Sequence, residues 1–320
     1  MRPFSLAAHP DRLSCGVLRL IVNADDLGLT RGVNRAIVQS HQQGIVTSAT
    51  LMANAPAFSD AVALLQTVPT LSVGCHLVLV DGTPLAPSNS IPSLLDPDAS
   101  APSFRKKLWK FALAAARGKI SSREVEAEAS AQIQKLLQAG VPISHVDCHK
   151  HAHMFPAVLE GVLRAANAHG IRAIRNPFEP AFARPAAVKL GAKNAIRSAE
   201  SALLSRQYSR MFRVRVSRYG LTTTDGSIGV TVTGSLDLQR FTESLRNAPA
   251  VGTYEFVCHP GYNDVELANA GTRLVQSRET ELTLLCSPEA RKLVANAELI
   301  QFSNLASAPE SNLPASHPMP

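Results

Sequence analysis

Short apolar runs alternate with longer segments of helical period along most of the chain. Leu18–Ala24 (LRLIVNA) is a continuous apolar run that stops at the polar DDLG, the pattern of a buried strand followed by a turn. Val33, Ile37 and Val38 recur at helical spacing over 31–43, with Gly44 beyond them as a stop. The alternation continues with strands at 46–53, 71–79, 143–149, 171–177, 226–234, 252–262 and 297–303. Helices fall at 55–68, 121–140, 156–170, in the middle of 181–218, at 236–248 and at 287–296. Residues 84–103 are rich in Pro, Ser and Asp and predict a long loop, a feature that compact domains keep for function.

Strands that alternate with helices pair in parallel. An open doubly wound sheet and a (β/α) barrel both fit the count. The polar clusters NADD, CHL, DCHKHAH, RNP and CHPGY all sit at the C-terminal ends of predicted strands, where a barrel gathers its active site. They favour an α/β fold of (β/α)-barrel type, distorted or seven-stranded. The expected organisation is one domain over 17–302, with a loop insertion at 84–103 and a basic helical insertion at 181–218. Disorder is expected for 1–16 and for the Ser/Pro/Asn-rich tail 303–320.

Composition narrows the class. The chain is 45% hydrophobic and 18% charged, which suits a soluble globular protein with a sizeable core. No run approaches the roughly 18 apolar residues of a membrane span. The N-terminus is broken by His, Pro, Asp and Arg and lacks the apolar core of a signal peptide. Five cysteines without a CxxC pair point to a reducing compartment, by default the cytoplasm. The net charge of +7 is uneven: 181–218 holds nine Lys or Arg against one acid, Glu200. That segment reads either as a solvated helix face or as a peripheral contact with an anionic membrane. The pI of about 9.4 raises nucleic-acid binding. One Trp, four Tyr and no recognition motif argue against it.

The candidate chemistry lies at the strand ends. Asp25 and Asp26 are neighbours, so an extended strand turns them to opposite faces; one is expected to react and the other to orient. His76, His149 and His259 each follow a cysteine, and by the same alternation Cys75, Cys148 and Cys258 turn into the core. His145, Asp147, His149, His151 and His153 share parity, so an extended chain places all five on one face. Alternate strand residues stand about 6.6 Å apart, so one metal takes at most two of them. The other ligands come from one of Asp25 and Asp26, and from His76. An Asp–His–His set with an open position is the ligand set of a hydrolytic metal, with a spare carboxylate as base and a spare histidine as acid. The competing reading is a two-carboxylate glycosidase using Asp25 and Asp147.

The motifs IVNADDLGLTRGVNRAI, GIVTSATLMAN, VGCHLVLVDGTPL, HVDCHKHAHMFP and FVCHPGY resemble the YdjC-like carbohydrate deacetylases, which include chitooligosaccharide deacetylase. The resemblance spans 18–302. DGTPLAPSNSIPSLLD, IRAIRNPFEP and RYGLTTTDGSIGVT look like the hopanoid-biosynthesis-associated branch. The resemblance implies a (β/α) barrel that hydrolyses the N-acetyl group of an amino sugar with a divalent metal. It implies metal ligands Asp26, His76 and His149, base Asp25 and general acid His259. Zinc suits the ligand set, and the resemblance also allows magnesium. Asp147 is the expected hydrogen-bond partner of the His149 imidazole. His151 and His153 are expected further out, toward substrate hydroxyls or solvent, and Arg175 and Tyr262 as contacts to Asp25 or substrate. A lipid-linked acceptor would agree with peripheral contact at the inner membrane face through 181–218; a homodimer is an allowed assembly. DDLG stands where the family commonly has DDFG, which changes packing beneath the site.

Overall fold

The computed structural model describes residues 17–184, 203 and 208–305. The strands are β1 (Leu18–Leu27), β2 (Ser48–Leu51), β3 (Ser72–Leu77), β4 (Ile143–Cys148), β5 (Gly226–Ile228), β6 (Gly252–Cys258) and β7 (Glu298–Leu299). Among the described residues they form one seven-stranded sheet in the order β4-β3-β2-β1-β6-β5, with β7 also paired to β1. Every ladder is parallel. The helices are α1 (Arg31–Gln42), α2 (Phe58–Leu65), α3 (Leu108–Ala116), α4 (Ser122–Gln138), α5 (Pro156–Ala168), α6 (208–218), α7 (Leu238–Leu245), α8 (Val265–Asn269), α9 (Gln276–Leu285) and α10 (Pro288–Leu293). The expected disorder of 1–16 and the centre of the basic insertion lie outside the described residues, as does the tail beyond 305.

The regular ladders make a curled half-barrel, and single bridges carry the curl onward. Val146 bridges Ile174, Ala173 bridges Thr222, and the Ser227 N–H donates to the Phe178 carbonyl at 3.1 Å. Residues 171–177 therefore join the sheet at points and not as the regular strand predicted; Pro177 has no N–H to extend a ladder. The strand expected at 226–234 ends at Ile228, because Gly229 turns to φ 93°. The Glu179 carboxylate accepts from the N–H groups of Gly229 and Thr231, at 2.9 and 3.3 Å, and pins that turn.

Two predicted helices carry the caps that their sequences suggest. Thr30 accepts from the Val33 N–H at 3.1 Å to start α1, and Ser121 accepts from Glu124 N–H to start α4. Sequence pattern misses α3, α8 and α9. The α3 segment LWKFALAAA is apolar on both faces, α8 is five residues long, and α9 has no clear apolar stripe. The loop 84–103 is packed against the body, with Ile91 and Leu94 fully buried.

The barrel interior is apolar at its floor and charged above. Ile21, Ala173, Ile300, Phe302 and Leu305 form a small core of their own. The predicted last strand contributes only Glu298 and Leu299 to the sheet; the chain then turns through a short 3-10 helix, Phe302–Asn304. Phe302 enters the floor and stacks on His145, centroids 3.6 Å apart. His145 has no share in the chemistry above: Ser144 meets its Nδ1 at 2.9 Å and burial pushes its pKa well down.

Candidate metal and proton-transfer site

Asp25 and Asp26 both face the mouth of the barrel, which an extended strand forbids. The β1–β2 register shifts between Ala24 and Leu27, and Asp26 adopts φ 68°. A left-handed residue is uncommon outside glycine, and here it swings the second carboxylate to the side already taken by the first. The expectation that one Asp turns away is thus corrected by a bulge.

Asp26 Oδ1 lies 3.5 Å from His76 Nε2 and 3.3 Å from His149 Nδ1, and the two imidazole nitrogens are 3.3 Å apart. This oxygen is buried and has no hydrogen-bond partner. The other Asp26 oxygen accepts from Arg278 Nη2 at 2.6 Å, and Arg278 itself is fully buried. Burial opposes the charge on Asp26, but Arg278 and then His149 hold its carboxyl well below the usual range. A buried carboxylate oxygen without a donor, facing two imidazole nitrogens, fits a cation. Among the described residues Asp26, His76 and His149 form one cluster with the spacing of a metal site; Asp25, His76 and Asp147 form a second beside it.

Asp147 supports His76 and not His149. Parallel pairing sets His76 beside Asp147 in register, and His76 Nδ1 donates to Asp147 Oδ1 at 2.8 Å. This leaves Nε2, the nitrogen facing Asp26, without a proton in the neutral ring. Burial disfavours a charged His76, yet Asp147, Asp25 and Asp26 outweigh it and raise its pKa to about 9. A site that draws a proton this strongly also draws a metal ion.

Arg175 ties the interior together. It is fully buried and grips both oxygens of Asp25, at 2.8 and 2.6 Å. It also pairs with Glu255 at 2.5 Å and with Asp147. Its sequence reading as a contact to Asp25 agrees with this geometry; its reading as a contact to substrate does not. Burial raises the Asp25 carboxyl, but Arg175 and then His76 and His259 bring it far below the carboxylate range. Asn23 and Thr50 add donors to Asp25 at 3.0 and 3.3 Å. His259 Nε2 stands 3.8 Å from Asp25 Oδ2, and the His259 N–H donates to Glu281 at 2.6 Å. Burial pushes the His259 imidazole down to about 4, against the pull of Asp25 and Asp26.

The strand that carries His145 and Asp147 stops at Cys148. Lys150 and His151 then take φ of 56° and 53°, so the shared parity of the histidines ends there. His149 is the first residue past the strand and keeps about a fifth of its side chain exposed, at 21%. His153 turns inward, fully buried, with Nε2 meeting the Arg175 carbonyl at 3.1 Å, so it faces neither solvent nor substrate. His151 is half-buried, with an unpartnered buried Nδ1. The Tyr262 hydroxyl donates to Gln39 of α1 and not to any group of the cluster. Cys75, Cys148 and Cys258 are buried, as strand alternation predicts. Arg278, Glu255 and Glu281 escaped the sequence reading; Arg278 and Glu281 lie on a helix without an amphipathic signature, and Glu255 sits mid-strand among apolar residues.

Residues 19–296 match the family model described as YdjC-like protein. A carbohydrate deacetylase of Brevibacillus brevis is 33% identical over 90% of this chain and 100% of its own length. A chitooligosaccharide deacetylase of Proteus mirabilis is 29% identical over 86% of this chain and 93% of its own. Among solved structures, one from Enterococcus faecalis V583, provisionally described as a cellobiose-phosphate cleavage protein, superposes with a TM-score of 0.70. It is 25% identical and covers 90% of this chain and 99% of its own. By the family model matched over 19–296, nearly all of the described chain, the chain belongs to the YdjC-like family.

Proposed function

We propose that the chain is a carbohydrate deacetylase that removes the N-acetyl group of an amino sugar with the help of a divalent metal. The observation that carries this reading is the triangle of Asp26, His76 and His149, set beside Asp25 and His259. Three ligands leave a coordination position open, as hydrolytic sites do. When bound there, the ion supplies Lewis acidity toward the amide carbonyl and acidifies water. Asp25, ionised across the working pH range, takes a proton from the attacking water. His259 rests neutral, so the proton it gives to the departing amine arrives during turnover, from Asp25 across the 3.8 Å gap. Arg175 keeps the Asp25 carboxylate aimed, and Asp147 fixes the ring orientation of His76.

The donor set suits zinc better than magnesium: a borderline-soft ion takes two imidazole nitrogens and a carboxylate oxygen, whereas magnesium prefers oxygen ligands throughout. A two-carboxylate glycosidase fits less well. It needs one carboxyl held protonated, whereas Asp25 is held ionised and Asp147 is engaged by Arg175 and His76.

The acceptor we favour is the N-acetylglucosaminyl headgroup of a hopanoid, on the strength of the IRAIRNPFEP and RYGLTTTDGSIGVT motifs; a chitooligosaccharide is the alternative. Acetate release from N-acetylglucosaminyl hopanoid against diacetylchitobiose, with and without chelator, separates them. Chelator-resistant release, or none from either substrate, removes the reading.

A further inference from the structure

The loop between β3 and α4 carries a second feature that the chemistry does not use. From Ser103 to Ser121 there are six cations, Arg105, Lys106, Lys107, Lys110, Arg117 and Lys119, and no acid. Between them α3 turns an apolar stripe to solvent. Trp109 is 60% exposed and Leu113 42%, one turn apart, with Ala116 exposed on the next turn. The opposite side of the helix, Phe111 and Ala114, is buried and anchors it. Folding does not ask for this arrangement. Lys106 and Lys107 stand at the N-terminus of α3, where the helix dipole disfavours cations and the first turn holds no acid. Among the described residues, only Lys110 of the six meets a carboxylate, Asp98 at 3.3 Å.

The stripe lies on the rim of the catalytic mouth. Lys150, next to His149, donates to Asp81 at 2.7 Å and to the Lys106 carbonyl at 3.4 Å. The Phe111 ring packs on Phe155 at 6.1 Å. From the other side α6 reaches the same corner, with Arg215 donating to the Pro156 carbonyl at 3.1 Å. The outer side of α6 exposes Arg210, Val214 and Arg218.

We infer that α3, with α6 beside it, docks the catalytic mouth on an anionic lipid bilayer, Trp109 and Leu113 entering the interface and the flanking cations meeting lipid phosphates. Charge complementarity selects this occupant. Cations at both ends of an apolar stripe match a surface that is anionic above and apolar below. A neutral sugar chain stacks on an aromatic ring but gives these cations nothing to meet. The inference rests on the deacetylase reading only for what the docked mouth would act upon.

Trp109 is the only tryptophan in the chain, so its emission reports the surface directly. The full chain is mixed with phosphatidylcholine vesicles with and without phosphatidylglycerol, and flotation and emission are read at low and high salt. Expected are co-flotation and a blue shift with phosphatidylglycerol at low salt, both lost at high salt. Lys106→Gln with Lys107→Gln weakens flotation roughly tenfold or more; Leu113→Gln reduces the blue shift. Both variants keep the wild-type rate of acetate release from diacetylchitobiose. Three results overturn the inference: no flotation at low salt, flotation that these substitutions leave unchanged, or a protein dimer that already shields Trp109. An absence of acetate release from both diacetylchitobiose and N-acetylglucosaminyl hopanoid, with intact flotation, would instead remove the deacetylase reading and leave this one standing.

Discussion

Arg175 holds both oxygens of Asp25 in a fork, at 2.8 and 2.6 Å, from the far side of the barrel. Because it also pairs with Asp147 and Glu255, three buried carboxylates depend on one guanidinium. Arg175→Gln leaves them uncompensated and is expected to cost about 3–5 kcal/mol in urea unfolding, with deacetylase activity largely lost. Arg175→Lys restores a charge but not a planar fork, so it should recover stability in part and activity much less. A Gln variant within about 1 kcal/mol of wild type would show that the network does not organise the interior.

The His76–Asp147 pair predicts a graded effect on metal affinity. Asp147→Asn keeps the shape but weakens control of the His76 ring, and should lower zinc affinity about 10- to 100-fold in competition with a chromophoric chelator. His149→Ala removes a ligand outright and should lose more. Equal affinity in wild type and His149→Ala would exclude His149 from the site.

The barrel floor predicts a steric effect at Gly74. A Cβ there would lie 2.4–2.7 Å from three ring atoms of His145, whose ring is stacked on Phe302. With the ring unable to yield, Gly74→Ala should destabilise the fold by about 1–3 kcal/mol, read as a lower urea midpoint at unchanged slope. Gly140, at φ 76° with nothing near its Cβ position, supplies the contrasting case, in which backbone strain alone is felt.

Glu179 predicts a pH dependence. Burial raises its pKa to about 7, despite hydrogen bonds from Thr231 and Gly229. Below its ordinary value of 4.5 the residue is protonated whether the chain is folded or not. Between 4.5 and 7 the unfolded chain ionises while the folded one keeps its proton, so stability falls as pH rises. Relative to Glu179→Gln, the wild type should lose roughly 3 kcal/mol across that window. An unchanging difference between the two proteins would place the Glu179 pKa near its ordinary value.

The fold was largely legible because buried parallel strands read as apolar runs and their ends as abrupt polar clusters. Asp26, His76 and His149 were reachable through family motifs, and strand alternation explains the cysteines. Alternation failed where the chain leaves the strand. Asp26 turns left-handed, and so do Lys150 and His151, so parity placed Asp25 and Asp26 apart and set His151 and His153 on one face with His149. The remaining gaps concern groups whose role depends on long-range contact. Nothing local to Arg278 or Glu281 says that one will meet Asp26 and the other His259.

The pairing of β7 with β1, and of Phe302 with His145, has a consequence for biosynthesis. During translation β1 finds one of its neighbours, β7, only after some 270 further residues have followed it. Sheet pairing can advance from β1 to β4 well before then, but the floor of the barrel waits for β7 and Phe302. Until Phe302 arrives, the nascent protein holds an open, apolar-lined lower end, and a premature stop shortly before it would yield a chain that keeps every reactive residue yet invites aggregation and proteolysis.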